Sequence, residues 1–231
     1  MILWADGLSK EYIRNGNRFY AVRDVHLAVE EGDYIGIIGE SGSGKSSLLR
    51  LLCGLSRPTG GQVKWNGKSL KTEVADGLPA IEPGKIGYVS QGMELLEAFT
   101  VLENVCMPFF LQKQKPDYKK AVDMLERVGL GKVMHAFPAE LSGGECRRAA
   151  IIRALIMRPA LLIADEPTGS LDEKNAGKVV ELLRQIQEEG VAVIMSTHDT
   201  RMLSDANRIF HIKDGGLMEE RMEKSYGNQN Y

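Results

Sequence analysis

The run Gly39-Glu40-Ser41-Gly42-Ser43-Gly44-Lys45-Ser46 has the residue types and spacing of a loop built to hold phosphate. Its glycines let the backbone turn with successive N–H groups pointing inward, and these donors join a helix N-terminus to make a preformed anion site. Lys45 can reach β- and γ-phosphates, and Ser46 can set its hydroxyl on magnesium. Asp165-Glu166 follow the apolar run 161–164. At the carboxyl end of a parallel strand, Asp165 is placed to hold magnesium, directly or through water, and Glu166 to polarise a water for in-line attack on the γ-phosphorus. His198 follows the run 191–196 through Thr197 and could donate to the γ-phosphate. Gln91 closes the strand 86–90 and could sense magnesium and the attacking water. Each has a plainer reading: a helix cap or exposed turn for the acidic pair, a structural histidine, a turn glutamine.

Ser142-Gly143-Gly144-Glu145 reads as a helix start, with Ser142 as cap, Glu145 returning the capping-box bond and the glycines leaving backbone N–H groups open. That makes a second anion-ready helix terminus. One nucleotide does not need both, so the second could serve another nucleotide. The alternative is a capped helix and nothing more.

These residues need a scaffold, and the hydrophobic pattern supplies one. Runs at 19–22 and 25–29, with the polar turn Arg14-Asn15-Gly16-Asn17, predict an antiparallel hairpin. The strand 34–38 leads into the loop and a Leu-rich helix over 47–55, ended by Gly54 and Pro58. A strand at 62–65 is expected to pair with the N-terminal layer, and 69–85 gives no clear pattern. Thr100 with Glu103 predicts a capped helix, Pro116-Asp117 opens another that Gly129 stops, and a third reaches 157, before Arg158-Pro159. Alternation then resumes: strand 161–164, helix 174–189, strand 191–196, a short helical stretch, strand 208–212 and the turn 214–216. Apolar strands alternating with amphipathic helices predict an α/β fold with a mostly parallel sheet covered on both faces. We expect one domain over 1–231: an antiparallel layer plus core in about 1–91 and 159–222, an inserted helical subdomain in about 92–158, and a polar tail at 223–231.

With 231 residues, 43% hydrophobic and 26% charged, the chain can bury one large core. A formal net charge of −2 without a long basic run argues against a nucleic-acid partner. Cys53, Cys106 and Cys146 form no CxxC pair, which fits a reducing compartment and buried small hydrophobes. Asp6 and Glu11 near the start argue against a signal peptide, and no apolar run approaches the ~20 residues needed to cross a bilayer. Membrane work would go through a partner.

Together the motifs resemble an ATP-binding-cassette (ABC) ATPase subunit over nearly the whole chain. Residues 39–46 match Walker A, with Ser47 following; Gln91 matches the Q-loop, 141–145 the LSGGE signature, and 161–165 Walker B. Glu166 then matches the catalytic glutamate, Ser170-Leu171-Asp172 the D-loop and His198 the switch histidine. The resemblance implies a P-loop NTPase fold, ATP and Mg2+ as ligands, and two copies packed head to tail. In that arrangement the signature residues Ser142, Gly143, Gly144 and Glu145 of one copy close on the ATP held by the other's Walker A, and Asp172 of the D-loop also belongs to the nucleotide site. It also implies an integral membrane permease as partner and a cytoplasmic location on the inner face of the membrane. Tyr12 matches the aromatic that stacks on adenine, with Tyr20 a weaker candidate. The stretches 167–172 and 99–105 resemble the branch of lipoprotein-releasing, macrolide-export, antimicrobial-peptide-resistance and cell-division ATPases; a cell-division regulator that moves no solute is the alternative function. Two departures stand out: Cys146-Arg147-Arg148 where glutamine commonly follows LSGGE, and Glu82-Pro83-Gly84-Lys85 before the Gln91 strand.

Overall fold

The computed structural model describes residues 1–14, 16–70, 84–92 and 95–220. Along the chain run β1 (Leu3–Arg14), β2 (Asn17–Val29), β3 (Tyr34–Ile38), α1 (Lys45–Leu52), β4 (Gly60–Trp65), β5 (Lys68–Ser69), β6 (Ile86–Val89), α2 (Val101–Leu111), α3 (Tyr118–Arg127), α4 (Gly143–Leu155), β7 (Leu161–Asp165), α5 (Glu173–Glu188), β8 (Ala192–Thr197), β9 (Arg208–Lys213) and β10 (Gly216–Glu219). One sheet is antiparallel, in the order β2-β1-β4-β5. The other, β10-β9-β3-β8-β7-β6, is parallel except for the β9/β10 hairpin.

The two-residue period of a strand explains why the parallel sheet serves two cores. Ile35, Ile37, Leu161, Ile163, Ala192 and Ile194 face the antiparallel sheet and α1, packing with Leu48, Leu52 and Val63. Their neighbours Leu162, Ala164, Val193 and Met195 face the opposite way, onto the layer that includes Val105, Ile151 and Val179. The helices α2 and α4 pack together in that second layer, and α3 lies against both. The loops that carry the candidate site residues lie where β3, β6, β7 and β8 end, all on one edge of the parallel sheet.

Several local expectations are refined. The runs 19–22 and 25–29 are one strand, carried through Asp24 in a left-handed conformation (φ 47°) where the β1/β2 register shifts. Expected as the N-terminal layer's partner, 62–65 pairs through β4 with β1. Helix α1 starts at Lys45, earlier than 47, because Gly44 supplies the left-handed cap, and α4 ends at Leu155 rather than 157. After β8 the short helical stretch is a 3-10 turn at Thr200–Leu203. The turn at 214–216 continues into β10, which the sequence pattern did not indicate, through Asp214 and Gly215 with positive φ (50° and 78°). Most of 69–85 and the tail 223–231 lie outside the described residues. Cys53 and Cys106 are buried, and burial pushes their thiols up to about 12 and about 11, so both behave as small apolar side chains.

Candidate active site

The phosphate loop is shaped by the sheet above it. Gly44 caps α1 with φ 112°, and a Cβ there would sit 2.0 Å from the Ala21 carbonyl oxygen of β2. Only glycine fits that position. No side chain caps this helix end, so its first-turn N–H groups keep their donors for a ligand. Lys45 follows directly and is 5% exposed. Its ammonium donates to the Gly39 and Glu40 carbonyls at 2.7 and 3.0 Å, and lies 3.4 Å from Glu166 Oε1. A buried cation needs such partners.

Glu166 is the point of convergence. Besides Lys45, Gln91 Nε2 donates to its Oε2 at 3.3 Å, and His198 Nδ1 lies 3.5 Å from the same oxygen. The four residues named from sequence as catalytic candidates therefore meet around one carboxylate, although β3, β6, β7 and β8 deliver them separately. Glu166 takes a left-handed φ of 46° as the chain leaves β7. Its N–H is held by Ser196, through the carbonyl at 3.2 Å and the hydroxyl at 2.9 Å. That hydroxyl donates in turn to Asp165 Oδ1 at 2.6 Å. Asp165 is 1% exposed and Ser196 wholly buried. Sequence reading passed over Ser196; the available signal was a hydroxyl at the end of an apolar strand, in register with Asp165. A carboxylate ringed by an ammonium, an amide and an imidazole can take a proton from water while its neighbours steady developing charge.

Beside the loop lies a cleft of about 250 Å³ lined by Tyr12, Phe19, Gly42, Lys45, Gln91 and Glu166, among others. Ser41, Gly44, Ser46 and Ser47 also face it, whereas Gly39, Glu40 and Ser43 belong to the loop behind that lining. Tyr12 and Phe19 stack at its rim with ring centroids 5.8 Å apart and planes inclined by 29°. Half-exposed rings of this kind offer a face to a planar base. Phe19, which the sequence pattern did not single out, takes the place beside Tyr12. Tyr20 instead lies under the Arg23 guanidinium, 5.0 Å from its ring centroid, and does not line the cleft.

Ser142, Gly143, Gly144, Glu145 and Asp172 do not line this cleft. The Ser142 box forms as its spacing predicts: the Ser142 N–H and hydroxyl donate to Glu145 Oε2 at 2.8 and 2.6 Å, and the Glu145 N–H returns to the hydroxyl at 3.4 Å. Those donors hold the Glu145 carboxyl below the usual range. Gly144 allows α4 to approach α5, since a Cβ would meet Asn175 Cγ at 2.9 Å. Asn175 in turn donates its N–H and side-chain amide to Asp172, at 2.9 and 2.6 Å, and these bonds lower that carboxyl too. The signature and the D-loop are thus braced together as a second surface.

Ser46, Gln91 and Asp165 would offer a divalent cation a hydroxyl, an amide oxygen and a carboxylate. An all-oxygen set of this size suits magnesium completed by water and substrate oxygens. Gln91 spends its Nε2 on Glu166, and Asp165 spends Oδ1 on Ser196, so one oxygen of each remains. Among the described residues no group of His, Cys, Asp and Glu could hold a metal unaided.

The ABC transporter family model matches residues 22–169. The chain is 37% identical over 219 residues to the macrolide export ATP-binding/permease protein MacB of Aggregatibacter actinomycetemcomitans, covering 94% of this chain and 34% of that protein. It thus spans about a third of that relative's length. Among solved structures, the ATP-binding cassette MJ0796 superposes with a TM-score of 0.86, both in a dimeric post-hydrolysis state bound to ADP and Pi (33% identity) and in a dimeric structure described as a bacterial ABC transporter cassette (34% identity). Each match covers 95% of this chain and 98% of that one. The P-loop NTPase fold implied by the motifs is the fold found. The chain belongs to the ABC transporter family, whose cassettes are ATPases.

Proposed function

We propose that the chain binds MgATP in the cleft between the Tyr12/Phe19 platform and the phosphate loop, and hydrolyses it with Glu166 as general base. The convergence of Lys45, Gln91 and His198 within 3.3–3.5 Å of the Glu166 carboxylate carries this reading. The loop amides and Lys45 bind the β- and γ-phosphates. Gln91 and Glu166 orient a water, Glu166 accepts its proton as the oxygen attacks phosphorus, and Lys45 and His198 face the charge on the phosphoryl oxygens. Ser46, Gln91 and Asp165 would hold magnesium, which would supply charge neutralisation for phosphoryl transfer.

The residues around Ser142 serve a second copy. A capped helix end set away from the chain's own cleft, together with dimeric MJ0796 structures of the same fold, supports a head-to-tail homodimer in which each signature surface closes on the other's nucleotide. The MacB relative combines ATP-binding and permease parts in its name, which supports a membrane permease as partner, on the same chain or another, and action at the inner face of the membrane. The same relative favours export as the task. Among the described residues no helix is long and apolar enough to cross a membrane.

Glu166→Gln tests the chemistry. Its kcat for ATP is expected to fall at least ~100-fold with nucleotide affinity kept, as befits loss of a general base; near-normal hydrolysis would remove Glu166 from that role.

A further inference from the structure

Arg147 lies on α4, two residues past the Ser142/Glu145 box, and is 2% exposed. Its guanidinium crosses from the helical layer to the loop that follows β6. Nη1 donates to the Ser90 and Gln91 carbonyls at 3.1 and 3.4 Å, and Nη2 donates to the Gln91 carbonyl at 3.4 Å. Among the described residues Nε is buried without a hydrogen-bond partner. Burial makes the guanidinium less ready to hold its proton, while the Asp165 charge acts in the opposite sense. Sinking a charge here is unfavourable. What it secures is the backbone of the very residue whose side chain meets Glu166 Oε2.

A forked donor is what this task requires. One guanidinium bonds two successive carbonyls, whereas an ammonium is a point donor on a flexible stem. The connection also joins two surfaces that are otherwise distant in sequence. Turning α4 to move Ser142 must either carry the Ser90–Gln91 backbone along or leave a buried cation without its acceptors.

We propose that Arg147 is a positioning residue that fixes the Gln91 backbone from α4, so that the Gln91 amide is set against Glu166 in step with the orientation of the signature helix. This rests on the reading of Glu166 as base and Gln91 as its neighbour in catalysis. Loss of Arg147 then lowers turnover far more than it weakens nucleotide binding, and it does so through Gln91.

The test is a cycle on the full chain with Arg147→Ala, Gln91→Ala and the double variant, with kcat, KM for ATP and nucleotide Kd measured for each. Arg147→Ala is expected to lower kcat ~10-fold or more, with KM and Kd within ~2-fold, and to add less than ~2-fold in the Gln91→Ala background. Arg147→Lys is expected to recover part of the loss by restoring one donor. Unchanged kcat in a folded Arg147→Ala protein would overturn the proposal, as would an undiminished further loss on top of Gln91→Ala. If the alanine variant does not fold, Arg147→Gln and Arg147→Lys take its place in the same cycle. Glu166→Gln is assayed in parallel: retained turnover there would fault the base assignment, while the Arg147/Gln91 cycle still decides the coupling.

Discussion

Where β7 ends, two neighbouring carboxylates must point in different directions, and Ser196 is the residue that sorts them. Its hydroxyl donates to Asp165 and accepts from the Glu166 N–H, so one oxygen fixes both the buried acid and the turn that aims the outward one. The cost of removing it is therefore larger than that of one hydrogen bond. Ser196→Ala leaves Asp165 short of a donor in a site that is 1% exposed, and loss of a bond to a buried charged group is worth about 1.5–3 kcal/mol. The unfolding midpoint in urea is expected to drop accordingly, and kcat to fall with it. Ser196→Thr keeps the hydroxyl and should restore kcat. A Ser196→Ala enzyme with full turnover would show that Glu166 holds its left-handed turn unaided.

Among the elements, α4 shows how a local sequence rule ends in a global one. The Ser142 box was legible from residue types alone because capping depends on neighbours within one turn. Glu145 has its folded pKa depressed by Ser142, so its contribution to stability is full above the ordinary carboxylate value and is lost as pH falls through the lowered one. Ser142→Ala removes the hydroxyl donor. Glu145 should then titrate closer to its ordinary value, as followed by NMR, and the helix should lose about 1 kcal/mol of capping. The same logic explains what the sequence could and could not convey. Lys45, Glu166, His198 and Gln91 were readable because each sits just past an apolar strand or inside a glycine pattern. Phe19, Ser196 and Arg147 were not, because their importance comes from partners 7 to 57 residues away, supplied by strand register and helix packing. β10 escaped for a related reason: the four-residue Gly-Leu-Met-Glu becomes a strand only by pairing with β9.

At the scale of the whole molecule, the described chain presents two unlike surfaces, a cleft that holds phosphate donors and a braced helix end outside it. In the head-to-tail pairing proposed above, a complete site takes one of each. Ser142→Arg places a bulky cation on the second surface without touching the first. It should abolish ATP-induced dimers of a Glu166→Gln background in size-exclusion chromatography, while monomeric nucleotide affinity persists; dimers that still form would contradict the cross-copy site. Binding itself is checked by heat. MgATP at ~100 times its Kd should stabilise the fold by about 2.7 kcal/mol, and a thermal midpoint unmoved by nucleotide would count against the cleft. Gly44 rests against the Ala21 carbonyl, and two residues earlier on the same strand stands Phe19, half of the aromatic platform. The spacing between platform and cradle is therefore set by a backbone rather than by side chains. For the nucleotide proposed above, β2 would act as a ruler: it fixes the length from ring to phosphate cradle, while stacking leaves the identity of the base largely unread.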